Sequence, residues 1–578
     1  MTLLPDLQSR FRQALATVTD QPEPWLEMIR PAQDARFGDY QANFAMGLGK
    51  QLNKKPWDLA AEVVARLDVA DLCEPPQVAG PGFINLRLKD DWLVKQLTAA
   101  IHDSRLGVAP VARPRTYVID YSAPNVAKPM HVGHIRSTVI GDALCRTLRF
   151  LGHQVISDNH VGDWGAQFGM IIYGYKHYLD AEAYRSRPVE ELARLYRLVR
   201  QRSDEDPDIA RGTQAETAKL HAGDAENRRL WQEFMPYCLE DIQRIYGRLD
   251  VRFDHSLGES FYHEMLAGVV EELRRRGIAQ ESQGAVCVFL EGQPVPMIVQ
   301  KQDGAFLYAT TDLATIRYRM DQWRPDAILY VVDHRQSMHF QQLFGVARML
   351  GYDKVELQHV SFGTVLGKDG RPFKTRAGDT VGLEGLLDEA VLRAARIVAE
   401  NDDAKPDGPE LSVQQRACVA ETVGIGALKY ADLSQNRTSD YEFDYEKMLA
   451  MNGNTATYMQ YAYARVRNIF AKGGIDSQQL CASGAAVTLG SPAERALALE
   501  LLRFGDALSM AMTDYRPNQL TSYLFDLANS FSTFYEKCHI LKAETPPLRD
   551  SRLLLCDLTA RTIRKGLELL GIGVEEKM

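Results

Sequence analysis

The feature that most constrains this chain is residues 117–141, YVIDYSAPNVAKPMHVGHIRSTVIG. Tyr117-Val118-Ile119 is a β-branched and aromatic run, which predicts a buried strand. The polar turn Ser122-Ala123-Pro124-Asn125 follows, and a long amphipathic helix is expected from near His131. A strand that feeds a helix through a tight polar loop leaves backbone N–H groups pointing out of the sheet. With the positive end of the helix dipole they make an anion site. His131, Gly133 and His134 fall in that first turn, where histidines three apart share a face and glycine lets a ligand approach the backbone. The competing readings are half a zinc site, for which no third ligand stands at suitable spacing, and two plain surface histidines.

At 578 residues the chain is too long for one core, and three or four domains are expected. No apolar run approaches a membrane span, and the first residues lack a basic region followed by an apolar one, so a cytoplasmic protein is expected. The eight cysteines are scattered without a CxxC pair, which favours reduced thiols over a disulfide framework or structural metal. A formal charge of −9 argues against a general nucleic-acid coat while leaving room for local basic patches.

Along the chain, helices are expected over 4–18, 43–52 and 57–67, followed by a Gly-Pro turn running into an alternating strand near 83–88. A second strand is expected at 154–157, then the Gly-rich segment 159–169, in which His160 and Gln167 read equally well as site or as scaffold. Charged helical stretches at 189–202 and 216–247 carry no catalytic constellation and read as an insertion covering about 180–290. The strand–helix pattern resumes at 296–300. Tyr308 and Asp312, four apart at a helix start, face the same way. The apolar run at 328–333 reads as a central parallel strand delivering Gln336 near its carboxyl end, where such sheets bind ligands. Beyond about 405 the pattern is all-helical, periodic over 448–470, 494–514, 520–538 and 551–570.

The block SAPNVAKPMHVGHIRST resembles the HIGH region of class I aminoacyl-tRNA synthetases, and specifically that of the arginyl-tRNA synthetase family. The basic Gly-rich loop at 365–378 has the placement of the family's KMSKS loop with altered letters: Arg376 takes the second lysine position and Lys374 lies two residues before it. The resemblance implies a multidomain α/β fold of bacterial type. It comprises an N-terminal α+β domain (1–110) contacting the tRNA D-loop, a Rossmann-type catalytic domain with its helical insertion (111–405), and an all-α anticodon-binding domain (406–578). The implied reaction joins L-arginine to ATP, with Mg2+, as arginyl-adenylate and passes the arginyl group to tRNA(Arg), the enzyme acting as a monomer without a bound cofactor.

Residue by residue, the resemblance implies that His131, Gly133, His134, Lys128 and Lys374 contact ATP, with Lys128, His131, His134, Lys374 and Arg376 stabilising charge during transfer. Where the loop lysine is replaced, Lys128 supplies the missing cation; its bland reading is a surface lysine. A guanidinium demands planar acceptors, preferably carboxylates. Asp120 and Asp312 with Tyr308 supply them, and Ser122, Asn125 and Gln336 hold the amino and carboxylate groups. On structural grounds alone Asp120 reads as a turn former and Asp312 as a helix cap. For tRNA, Tyr40 and Asn43 either meet a splayed nucleotide or tie two helices. Tyr458, Tyr461 and Arg465 either stack and neutralise RNA or form a core stripe. The rivals are a synthetase for another amino acid, a smaller nucleotidyltransferase and a non-catalytic tRNA-binding paralogue.

Overall fold

The structure, a computed structural model, describes residues 3–126, 128–373, 382–406 and 408–578. Lys374 and Arg376 therefore lie outside the described residues. The chain forms two compact units, one of residues 111–457 with 568–573, the other of residues 1–110 with 458–567 and 574–578.

The larger unit is built on four parallel strands: β1 (Thr116–Asp120), β2 (Gln154–Asp158), β3 (Ala327–Tyr330) and β4 (Glu356–His359). They lie in the order β4-β3-β1-β2. β3 is buried at every position, as a central parallel strand should be. The chain winds one way from β1 to β2 and the other way from β3 to β4. The carboxyl ends of β1 and β3 thus flank the switch point where open α/β sheets bind ligands.

Helix α1 (Val132–Phe150) starts at the expected place but is buried on almost every face rather than amphipathic. The cause is tertiary. It lies on β1 and β2 and is covered in turn by helices Leu383–Asp403 and Val413–Leu433. A Cβ at Gly141 would sit 2.2 Å from the Tyr121 ring, so only glycine lets α1 approach the sheet there.

Three other expectations change. The helical stretch at 216–247 is two helices, Pro207–His221 and Ala225–Arg248, broken at Gly223 (φ +86°) and restarted by the Asp224 cap. Met297–Gln300 belongs to a separate antiparallel sheet with Ala279–Ser282 and Ala285–Val288, not to the parallel one. Among the described residues, the region beyond 405 contains one short strand, Tyr441–Glu442, which pairs in parallel with Val365–Leu366.

The smaller unit joins the two ends of the sequence. A four-stranded antiparallel sheet is packed by helices from the first hundred residues, and Leu499 enters the same core. Arg495 forks onto the buried Asp39 carboxylate at 2.8 Å through both terminal nitrogens. Removing one partner of such a pair leaves an uncompensated buried charge. Arg495→Ala should therefore cost this unit about 3–5 kcal/mol, measured as a lower denaturant midpoint; an unchanged midpoint would show that the fork contributes nothing. Tyr40 contradicts its expected RNA contact. It is fully buried in this core, its hydroxyl donates to Asp506 at 3.4 Å, and Arg503 covers its ring. It lies on the buried face of the three-residue strand Tyr40–Ala42.

Candidate active site

His131 is the N-cap of α1, and its Nδ1 accepts the Gly133 N–H at 3.1 Å. His134 Nδ1 accepts the His131 N–H at 3.0 Å, closing a reciprocal capping box made of two histidines. The rings lie 4.0 Å apart, and a Cβ at Gly133 would be 2.9 Å from His131 Cε1. Glycine is thus needed for the His131 ring to fold back over the helix start. Burial lowers the affinity of both rings for a second proton; Arg335 adds to this at His131, and His131 adds to it at His134, which falls to about 4. Both rings are neutral at physiological pH. Since each Nδ1 accepts a backbone N–H, each proton resides on Nε2, a donor left available. No acid limb in the rate should therefore arise from His134 between about pH 5 and 8. A rate–pH profile of His134→Asn that loses such a limb would contradict this assignment.

The turn before α1 is held open by unusual backbone. Ser122 and Ala123 have φ of 71° and 44°, the left-handed region that non-glycine residues avoid. Asn125 faces outward and spans to Gly162, while Lys128 is half-buried with its N–H on the Asn125 carbonyl. Among the described residues no carboxylate pairs with the Lys128 ammonium. Past the basic loop the chain returns to this turn: the Leu383 N–H donates to the Met130 carbonyl at 2.8 Å, and Gly382 bridges His131.

Two expected arginine contacts are already occupied by the protein. The Asp120 carboxylate accepts from Arg319 Nη2 at 2.6 Å, and Asp158 shares the same guanidinium at 2.8 Å. Burial pushes the Asp120 acid up, against the pull of Arg319. Asp120 is committed to a buried structural ion group. The Ser122 hydroxyl is buried between Thr138 Oγ1 (2.8 Å) and Tyr246 OH (2.7 Å), and so braces the turn rather than facing a ligand.

Of the remaining expected groups, Asp312 and Tyr308 are brought together, each against His339. Asp312 lies in the second turn of helix α2 (Tyr308–Gln322) and is not its cap. Its carboxylate meets His339 Nε2 at 2.7 Å, and the exposed Tyr308 ring stands edge-on to that imidazole, 4.7 Å between centroids. Gln336 ends the short turn after β3 and is exposed.

Glu259 is a group that sequence reasoning missed. Burial raises its acid, His160 opposes the rise, and the charges of Asp163 and Asp312 add to it. The charge of Asp312, on the start of α2, thus reaches the Glu259 carboxyl. Glu259 sits in the segment read as catalytically silent, and a single acid before Phe261-Tyr262 gives no pattern to distinguish it. Of the two undecided residues, Gln167 is scaffold, donating to the Gly162 carbonyl at 2.8 Å from a buried position. His160 faces Tyr262, and its buried Nδ1 has no hydrogen-bond partner among the described residues.

In the other unit, Tyr461 is exposed on helix Ala456–Gly473, Tyr458 donates to Asn529 at 3.1 Å, and the Arg465 guanidinium lies over Tyr535. Tyr463 is core. Asn43 is half-buried, its N–H on the Met28 carbonyl. Among the described residues no helix is long and apolar enough to cross a membrane.

The class I (R) tRNA synthetase catalytic-domain model matches residues 96–445. The DALR anticodon-binding domain matches 459–578 and the arginyl-tRNA synthetase N-terminal domain 5–88. A relative from Rhodopirellula baltica named arginine–tRNA ligase is 47% identical over 99% of both chains. The arginyl-tRNA synthetase structures from Plasmodium falciparum (TM-score 0.84, 28% identity) and Thermus thermophilus (0.82, 25%) align over the whole of both chains. With three matching domain models in order and near-half identity across its length, the chain belongs to the arginyl-tRNA synthetase family of class I.

Proposed function

We propose that this protein activates L-arginine with ATP and transfers the arginyl group to tRNA(Arg), and that the paired Nε2–H donors of His131 and His134 perform the first step. Arginine's carboxylate attacks the α-phosphorus of ATP, the bond to the bridging oxygen breaks, and pyrophosphate leaves. Charge builds on the non-bridging oxygens as the centre becomes pentavalent. Two neutral imidazole donors fixed by backbone hydrogen bonds at a helix N-terminus meet that charge without reorganising. Mg2+ enters with the nucleotide as part of the substrate and screens its phosphates. The terminal ribose hydroxyl of tRNA then attacks the arginyl carbonyl and AMP departs.

Asp312 and Glu259 hold the guanidinium, with Tyr308 and His339 fixing the Asp312 carboxylate; Asn125 and Gln336 hold the amino acid's backbone groups. Tyr458, Tyr461 and Arg465 offer tRNA a mixed aromatic and cationic face, with Asn43 at the other end of the sequence. The enzyme works in the cytoplasm as a monomer. The histidine geometry carries this reading, and ATP–pyrophosphate exchange across the amino acids, with and without tRNA, tests it. Exchange with an amino acid other than arginine would overturn it.

Lys128 is the cation we assign to the α-phosphate, with Lys374 and Arg376 of the loop assisting. Single-turnover adenylate formation should fall strongly in Lys128→Ala, with arginine binding almost unchanged, and less in Arg376→Ala, whose planar guanidinium is a poorer point charge. Energetic coupling in the double variant would show that both act on one phosphate. A crippled Arg376→Ala beside a nearly normal Lys128→Ala would reverse the assignment.

A further inference from the structure

Directly behind the strained turn lies a cavity of about 440 Å³ that none of the chemistry above uses. It is enclosed by helix Ala225–Arg248, the loop at 251–258 and the segment after β2. Leu239, Ile242, Phe253 and the ring of Tyr246 give it apolar walls, Gln243 and Asn159 give it polar edges, and the charged Asp163, Asp250 and Arg252 also line it. Phe253 and Tyr246 pack with ring centroids 5.1 Å apart. The Gln243 side chain is exposed and has no hydrogen-bond partner among the described residues.

Two of these walls also pin the active-site turn. The Tyr246 hydroxyl bonds the Ser122 hydroxyl at 2.7 Å and receives the Asn159 amide N–H at 3.1 Å. The Asn159 side-chain oxygen in turn accepts the Ala123 N–H at 3.1 Å. Ser122 and Ala123 are the two residues with positive φ that carry the chain from β1 towards His131. Such backbone persists only while its surroundings over-determine it. Here part of the surroundings is the cavity wall, and Ser137 and Thr138 of α1 supply the rest.

From this juxtaposition we infer that the cavity is a second small-molecule site, for a flat one- or two-ring nitrogen heterocycle, whose occupancy is transmitted to the active site through Tyr246 and Asn159. The volume falls in the range of small-molecule pockets, and apolar walls with a few polar groups are their usual lining. A flat ring system fits between Phe253 and the aliphatic side chains, and a ring N–H reaches Gln243 at the edge. A ligand that displaces the Tyr246 ring loosens the turn; one that packs against it holds the turn in place. Either way it changes the rate of adenylate formation without touching ATP or arginine.

Indole is the probe: flat, apolar on both faces and carrying one N–H. Calorimetry on the full chain should show about one equivalent bound to the wild type and none to Leu239→Trp, whose new ring fills the cavity. Gln243→Trp, at the exposed mouth, gives the same readout should Leu239→Trp melt early. This binding arm stands independently of the proposed reaction; the rate arm rests on it. Saturating indole should change the maximal exchange rate several-fold, with the ATP and arginine requirements unmoved. In Tyr246→Phe it should still bind but no longer change the rate. Absence of binding, binding unaffected by both tryptophan variants, inhibition competitive with ATP or arginine, or a rate indifferent to bound indole would each overturn the inference.

Discussion

Replacing His134 by alanine is expected to slow adenylate formation by roughly 10²- to 10³-fold, the range for losing one preorganised donor to a transition-state oxyanion. The substitution also removes the acceptor for the His131 N–H, a capping loss of about 1 kcal/mol. The two effects separate in His134→Asn, whose side-chain oxygen can still accept that N–H but offers no donor where Nε2 stands. Quench-flow measurement of adenylate should find the asparagine variant nearly as slow as the alanine variant, with its thermal midpoint recovered. An asparagine variant at wild-type speed would show that His134 matters only as a cap.

The second large effect is expected at Asp312. Asp312→Asn keeps the size and the contact to His339 but removes the charge that meets a guanidinium. Losing one side of a buried charge-assisted pair costs about 2–5 kcal/mol, roughly 30-fold or more in the arginine requirement. The ATP requirement should stay near normal. Glu259→Gln should act in the same direction, and the double variant should fall short of the product of the two, because both carboxylates serve one cation. A rise in the ATP requirement instead would place the arginine pocket elsewhere.

The strand, the turn and the start of α1 were legible because each obeys a local rule: a β-branched run, a polar loop and a cap position. What lay outside local rules was lost. Asp120 reads as an available carboxylate until Arg319, 199 residues later, is seen against it. Ser122 reads as an exposed turn serine until Tyr246, 124 residues on, closes over it. Tyr40 sits in a three-residue strand, too short for alternation to tell which face is inward, and its cover comes from Arg503 near the other end of the chain. The burial of α1 follows from two helices that begin 233 and 263 residues after it ends. Glu259 was hidden because a lone acid before Phe261-Tyr262 carries no pattern of its own. For Asp120, Ser122, Tyr40 and α1 a long-range neighbour decided the matter.

The smaller unit has a further consequence, for synthesis. Its sheet is complete by residue 110, yet the helices that supply Arg495, Leu499 and Arg503 belong to the segment beginning at residue 458. About 350 residues separate the two, and at roughly 5–20 residues per second the ribosome takes on the order of 20–70 s to bridge them. Throughout that interval Asp39 lacks its fork and the Tyr40 hydroxyl lacks its acceptor. The beginning of the chain waits, exposed and half-supported, for its end, so a pulse-labelled nascent chain should stay protease-sensitive over its first hundred residues until the last helices have emerged.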